Sequence, residues 1–244
     1  MMYRIFACTI TNHGNHSTLT ISAGLSQRQS FMKPVFISLF LLLSFATYAQ
    51  NSKYDASKEL RGNGRIVRET KTLQPFEVIE IEQFPADLTI EAGATTSSLT
   101  ISLDENLRSY LQISNENGKL KLAFKDPAGK PFWISKATVN VSIKTPRLKQ
   151  LKNGWSNSDI RVTGLAGESF DLVNEANADI TLRGKVNTFD LVSSANGTID
   201  ADQLVVKTAN VVTQANATVR INAQTVNEVK SGHANLVNVS TRPK

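Results

Sequence analysis

Two aspartates have the spacing that chemistry would need. Asp159 and Asp179 sit at the same place in two related segments, "SDIRV" (158–162) and "ADITL" (178–182). A fold that superimposes those segments brings the carboxylates together. Clustered aspartates with calcium cleave acidic polysaccharides on some parallel β-helices, and paired carboxyls at set separations hydrolyse glycosides. The next related segments, "GTIDA" and "ATVRI", place Thr198 and Thr218 in the same column. A calcium site takes six to eight oxygens, and this column does not assemble them. The alternative role for the two acids is turn chemistry. Asp104 and Glu105 adjoin in an expected turn and read as solvated. His233, in the turn-like "SGHANL", is the only histidine after residue 16, so a nucleophile–histidine pair and a zinc site have no support. No catalytic, cofactor-binding or metal-binding residue is assigned.

Other side chains suit binding better than catalysis. Trp133 in "KPFWIS" and Trp155 in "NGWSNS" lie in or beside loops, where a ring either stacks on a sugar or packs on the core. Lys144, Arg147, Lys149 and Lys152 form a basic cluster that would meet an anionic glycan or simply face water.

The elements that position these residues follow from a second regularity. "FDLVNEANADITLRG", "FDLVSSANGTIDADQ" and "ANVVTQANATVRINA" follow one another at a nearly constant interval. Their asparagines, with one before and one after, are Asn157, Asn177, Asn196, Asn216 and Asn235, 19 or 20 residues apart. A period near twenty is too short for propeller blades and lacks the leucines of a leucine-rich repeat. It fits a coil of about 19–20 residues that stacks on its neighbours at about 4.8 Å. The expected fold is therefore all-β, a parallel β-helix or solenoid. Phe170, Leu172, Phe189, Leu191, Val211, Ile180, Ile199 and Val219 point inward, and asparagines mark a corner. Val173, Val192 and Val212 then form an apolar stripe on the outside, a face for homo-oligomer contact or for the amino-terminal half.

Upstream, "FEVIEIE", "DLTIEAG", "SLTISLD" and "TVNVSIK" alternate apolar and polar residues as half-buried strands do. "NENGKL" (115–120) predicts a hairpin, because Asn-Gly tolerates positive φ at both central positions. The carboxy-terminal solenoid thus carries additional alternating strands and a hairpin at its amino-terminal side.

Residues 32–49, "MKPVFISLFLLLSFATYA", read as a secretory signal peptide: a lysine, an apolar run too short to span a bilayer, then small residues before a cut ahead of Gln50. Residues 1–31 read as an over-long gene model or an extended n-region. Residues 50–60 are a polar lead-in, and 61–244 form the β-helical domain. Arg4, Arg28 and Lys33 lie ahead of the cut with no acid beside them. Removing three cations lowers the net charge of +6 to +3, so nothing predicts nucleic-acid binding. The single cysteine, Cys8, leaves too, which excludes disulfides and a lipoprotein anchor. No transmembrane helix is expected in the mature chain.

The stretch "RGNGRIVRETKTLQPFEVIEIEQFPADLTIEAG" resembles the opening of the putative auto-transporter adhesin, head GIN domain family. Gly62, Gly64, Phe76, Asp87, Ile90 and Gly93 carry the likeness, and the hairpin and asparagine-centred segments extend it over roughly residues 60–239. The resemblance implies a right-handed β-helical fold in secreted or envelope proteins, often of Bacteroidetes-type bacteria, with no established catalytic residues. The reading that follows is an exported, non-enzymatic surface or envelope binding protein, located in the periplasm, at the outer surface or secreted. Its partner would be an envelope or extracellular glycan or a protein. The alternatives are a polysaccharide lyase or hydrolase using Asp159 and Asp179, and a structural envelope subunit.

Overall fold

Strict alternation builds the strands. In a computed structural model that describes residues 56–154 and 157–241, buried and exposed residues alternate along "DLTIEA" and "VNVSIKT" without a break. Residues 1–55, which include the expected signal peptide and most of the lead-in, lie outside the described residues, as does Trp155. The described residues form fifteen strands: β1 (Glu59–Arg61), β2 (Ile66–Thr72), β3 (Val78–Glu82), β4 (Asp87–Ala92), β5 (Ser98–Asp104), β6 (Leu111–Glu116), β7 (Lys119–Phe124), β8 (Trp133–Ser135), β9 (Val139–Thr145), β10 (Gln150–Gly154), β11 (Ile160–Asn174), β12 (Ile180–Ser193), β13 (Gly197–Thr213), β14 (Ala217–Lys230) and β15 (Asn235–Asn238). The β6–β7 turn has Asn117 at φ 53° and Gly118 at φ 74°, both in the left-handed region that Asn-Gly supplies.

Thirteen strands form one sheet, and β1 and β8 form a separate parallel pair. The large sheet forks at β11. The start of β11 pairs with β4, and its end pairs with β10. One wall continues through β9, β5 and β2, and the other through β3, β7 and β6. β11, β12, β13 and β14 are long enough to belong to both walls.

This topology corrects the expected right-handed parallel β-helix. The all-β class stands. The pairs β2–β5, β5–β9 and β6–β7, however, are antiparallel, and the sheet is a curled half-barrel of mixed strands. The period near twenty sees only neighbours in β11 to β14. It carries no information about strands that meet across long, non-periodic separations in the amino-terminal half.

Within β11–β14 the register is parallel; residues 19 or 20 apart face one another, except in the second half of β13–β14, where a register shift after Ala201 makes the interval 17. Phe170 pairs with Phe189 and Phe189 with Ala209; Ile160, Ile180, Ile199 and Val219 form another line. The Phe170 and Phe189 rings stack with centroids 6.1 Å apart, and both are buried. The long strands must bend to serve two walls. Within β12 Gly184 has φ 143°, and a Cβ there would lie 2.1 Å from the Leu165 carbonyl oxygen. Only glycine admits that approach.

The free end of the sheet is guarded. β15 covers only Thr218–Ile221 of β14. Beyond it, Glu228 and Lys230 are exposed in register with buried Val211 and Thr213. Charges at inward positions stop a further strand from adding to the edge.

Candidate functional site

Between the β3–β4 turn and the loop after β7 lies a groove of about 860 Å³. Its floor is built from the core outward. Phe84 is fully buried, with its ring 5.1 Å from that of Phe124 at the end of β7. Ser158 pins the Phe84 turn: its hydroxyl donates to the Phe84 carbonyl at 2.8 Å and accepts the Ala86 N–H at 2.7 Å. The turn leaves β3 through Gln83, whose φ of 47° is left-handed. That conformation is costly for a residue with a Cβ. It is held by the Gln83 N–H, which donates to the Gly154 carbonyl at 3.2 Å. The Gln83 side chain is exposed at the groove.

The facing lip is residues 125–134. Pro127 and Pro131 restrict its backbone. The Asp126 carboxylate accepts the Ala128 N–H at 2.6 Å, and the Gly129 N–H donates to the Asp126 carbonyl at 2.9 Å. Phe132 anchors the lip edge-on to Tyr110, with centroids 5.1 Å apart. Trp133 follows in β8, half-buried and lining the groove. Gln112 of β6 and Asn157 complete the lining with exposed amides.

Beside the groove, Glu82 of β3 gathers two lysines. Lys121 donates to Glu82 at 2.8 Å, which holds the Glu82 carboxyl below its usual range and keeps it anionic. The same carboxylate sits 3.6 Å from Lys125. A second hollow of about 400 Å³ shares Pro85 and Asn157 with the first and continues toward Asp87, Thr138 and Asn140.

The chain matches the family described as putative auto-transporter adhesin, head GIN domain, over residues 75–240. It belongs to that family. The match takes in every residue lining the groove and both walls apart from β2. The fold is also that of a putative adhesin from Bacteroides fragilis NCTC 9343, with a TM-score of 0.55 at 14% identity, covering 74% of this chain and 100% of that one. Two less similar structures are a putative lipid binding protein from Parabacteroides distasonis ATCC 8503 and a putative adhesin from Parabacteroides merdae ATCC 43184. The first has a TM-score of 0.43 at 14% identity, covering 75% of this chain and 100% of that one. The second has a TM-score of 0.37 at 19% identity, covering 75% and 99%. No curated protein matches the chain in sequence.

In this head GIN domain Asp159 and Asp179 do occupy adjacent rungs, but they serve the backbone. The Asp179 carboxylate accepts the Thr198 N–H at 2.9 Å, and the Asp159 carbonyl accepts the Leu88 N–H at 2.9 Å. Among the described residues no group of three or more His, Cys, Asp or Glu could hold a metal. His233 is exposed. The basic cluster is internally paired: Lys144 with Glu91 at 2.8 Å, Arg147 and Lys149 with Glu77, and Lys152 with Glu175 at 3.6 Å.

The asparagine corner is a ladder of a particular kind. Each side-chain oxygen accepts the backbone N–H of the next asparagine: Asn157 from Asn177 at 3.2 Å, Asn177 from Asn196 at 3.0 Å, and Asn196 from Asn216 at 3.1 Å. Asn235 does not continue it, because it pairs with Thr218. The outward valines are in register, Val173 with Val192 and Val192 with Val212, and the line runs on to Val229, 66% exposed.

Asp104 corrects the expectation of a solvated turn residue. It is 1% exposed and accepts N–H bonds from Gly64 at 2.5 Å and Thr138 at 2.7 Å, tying two loops together. Glu105 beside it pairs with Arg65 at 3.2 Å. Gln83 and Gln112 are the groove residues that sequence reasoning missed. Gln83 sits in the turn-rich "EQFPAD" and Gln112 in the alternating "LQISNE", and nothing in either stretch predicts that both face the loop "KDPAGKPFW".

Proposed function

We propose that the protein is an exported, non-enzymatic binding module of the adhesion type, and that the groove beside Trp133 is its binding site. The observation that carries this reading is the groove itself. A half-buried indole and several exposed amides converge on a pre-formed hollow whose lip is braced by two prolines, an aspartate turn and the Tyr110–Phe132 contact. Such a site is suited to holding a ligand without reorganisation. Of the two carboxylates that a polysaccharide-cleaving enzyme would use, that of Asp179 accepts the Thr198 N–H, and both lie outside the groove. Family membership and the Bacteroides fragilis neighbour support the adhesion class, and residues 32–49 support export.

The test is capture by bacterial envelope fractions and by extracellular matrix preparations. The fluorescently labelled full chain should bind one of them saturably and be competed by unlabelled protein. Absence of saturable capture by either would refute the reading.

A second reading concerns assembly. The Val173–Val192–Val212–Val229 line is an outward apolar stripe in strict register, and it supports self-association through that face.

A further inference from the structure

The geometry points to a neutral oligosaccharide, lying along the groove with one ring stacked on Trp133 and its hydroxyls held by Gln83, Gln112 and Asn157. This inference rests on the reading of the groove as the binding site, and it names the ligand class.

Four observations lead to it. First, the convergent polar groups are amides. Each carries both donors and an acceptor, which matches sugar hydroxyls, themselves donors and acceptors. Asn157 already accepts from Asn177 through its oxygen, so its NH₂ is the group left for a ligand. Second, the charged residues of the lining are of mixed sign, Lys125, Asp126 and Lys130, so no single-sign cluster is present to recruit an ionic ligand. Lys125 faces Glu82, and the Asp126 carboxylate is bonded to the Ala128 N–H. Lys130, exposed at the lip, adds a cation at the periphery.

Third, the site is large. The main hollow, about 860 Å³, is near the upper end of small-molecule sites. The second hollow extends it past Pro85 and Asn157 toward Asn140. A chain of rings fits such a path better than a single compact ligand. Fourth, Gln83 is held in a left-handed backbone conformation at the wall of the groove. Glycine would adopt it at lower cost, yet a glutamine stands there with its amide exposed. Backbone strain retained at a binding surface points to a use for the side chain.

The experiment is calorimetric titration of the full chain with cellotetraose, chitotetraose, maltotetraose and mannotetraose. Tetragalacturonate and a proline-rich decapeptide are run in parallel. At least one neutral tetrasaccharide should bind and quench tryptophan fluorescence. Trp133→Ala and Gln83→Ala should each weaken it tenfold or more, and Lys130→Ala less than twofold, with circular dichroism unchanged. Gln83→Gly is the decisive variant: it should raise the melting temperature by relieving the strain while weakening binding as much as Gln83→Ala does. If Trp133→Ala unfolds, Trp133→Phe, which keeps a smaller platform, should bind with intermediate affinity.

The inference is overturned if no neutral tetrasaccharide binds, or if tetragalacturonate binds in preference and Lys130→Ala abolishes it. It is equally overturned if only the decapeptide binds, or if binding survives both Trp133→Ala and Gln83→Ala. Tetrasaccharide failure with envelope or matrix capture intact removes this inference alone. Loss of wild-type capture removes the reading beneath it.

Discussion

At the scale of the residue, stacked rungs make identical side chains neighbours, for good or ill. Asp171 lies in register with Asp190, which lies in register with Asn210 and then Asn227. The amides work: Asn210 donates to Asp190 at 2.6 Å, and Asn227 donates to Asn210 at 2.8 Å. Asp171 has no such donor above it. Burial, and then the Asp190 carboxylate, push its carboxyl above the usual aspartate range. A carboxyl whose pKa is raised on folding binds its proton more tightly in the native state. Its contribution is therefore greatest in acid and is lost as pH rises through the raised value. Asp171→Asn removes that loss and supplies an NH₂ to Asp190, a hydrogen bond of about 0.5–1.5 kcal/mol. Urea denaturation at neutral pH should show the variant more stable than wild type. At about pH 3, below the ordinary aspartate pKa of about 3.9, the gap should narrow. A gap that stays constant across the two pH values would show that the titration plays no part. Asp104 has the backbone donors that Asp171 lacks. Its carboxylate is buried but satisfied by two backbone N–H groups, so it locks loops together.

At the scale of the element, the long strands β11–β14 succeed because they bend. A straight strand of that length would leave one wall or the other. In β12 the backbones of Gly184 and Leu165 approach so closely that a methyl group on Gly184 would meet the Leu165 carbonyl oxygen at 2.1 Å. Gly184→Ala should therefore cost about 3 kcal/mol or more, combining a disfavoured backbone with an overlap that no side-chain rotation relieves. Gly64→Ala is the control. Gly64 also has positive φ, 76°, but no heavy atom lies within 4 Å of its Cβ direction. It should lose only the backbone term, about 1–2 kcal/mol. Chemical denaturation of the two variants separates the contributions; equal losses would contradict the crowding argument. The strands themselves were legible in the sequence. Alternation marks "DLTIEA" and "VNVSIKT" because one face of each meets the core. The hairpin was legible because Asn117–Gly118 admits its backbone locally.

At the scale of the whole described domain, two surfaces compete for attention: the groove and the outward valine line. Val192 is 40% exposed and Val229 66%. Both sit on the sheet face opposite the core, so replacing them by lysine should change intrinsic stability by only about 0.5 kcal/mol. If copies associate through this face, wild-type protein should show a multiple of the chain mass in light scattering, and Val192→Lys/Val229→Lys should show the chain mass. A wild-type monomer would remove the assembly reading and leave the groove untouched. The fork at β11 decides where the groove lies, because it sends β3 and β4 to different walls and leaves the 83–86 turn spanning them. Residues 125–134 and Asn157 reach the same place from distant parts of the chain.

What the sequence by itself determined was local and periodic. It set which residues alternate inward, the Asn-Gly turn, the interval that places Phe170 over Phe189, and the outward line of valines. These depend on backbone preferences and on the two-residue pleat, and both act over a few residues or repeat at a constant distance. The tertiary structure alone decided that β2–β5–β9 and β6–β7 run antiparallel, that Asp104 is buried, and that Gln83, Gln112 and Trp133 share one groove. Each of those depends on pairing between segments with no shared period, where the gain comes from burying faces against each other and leaves no mark on either segment alone.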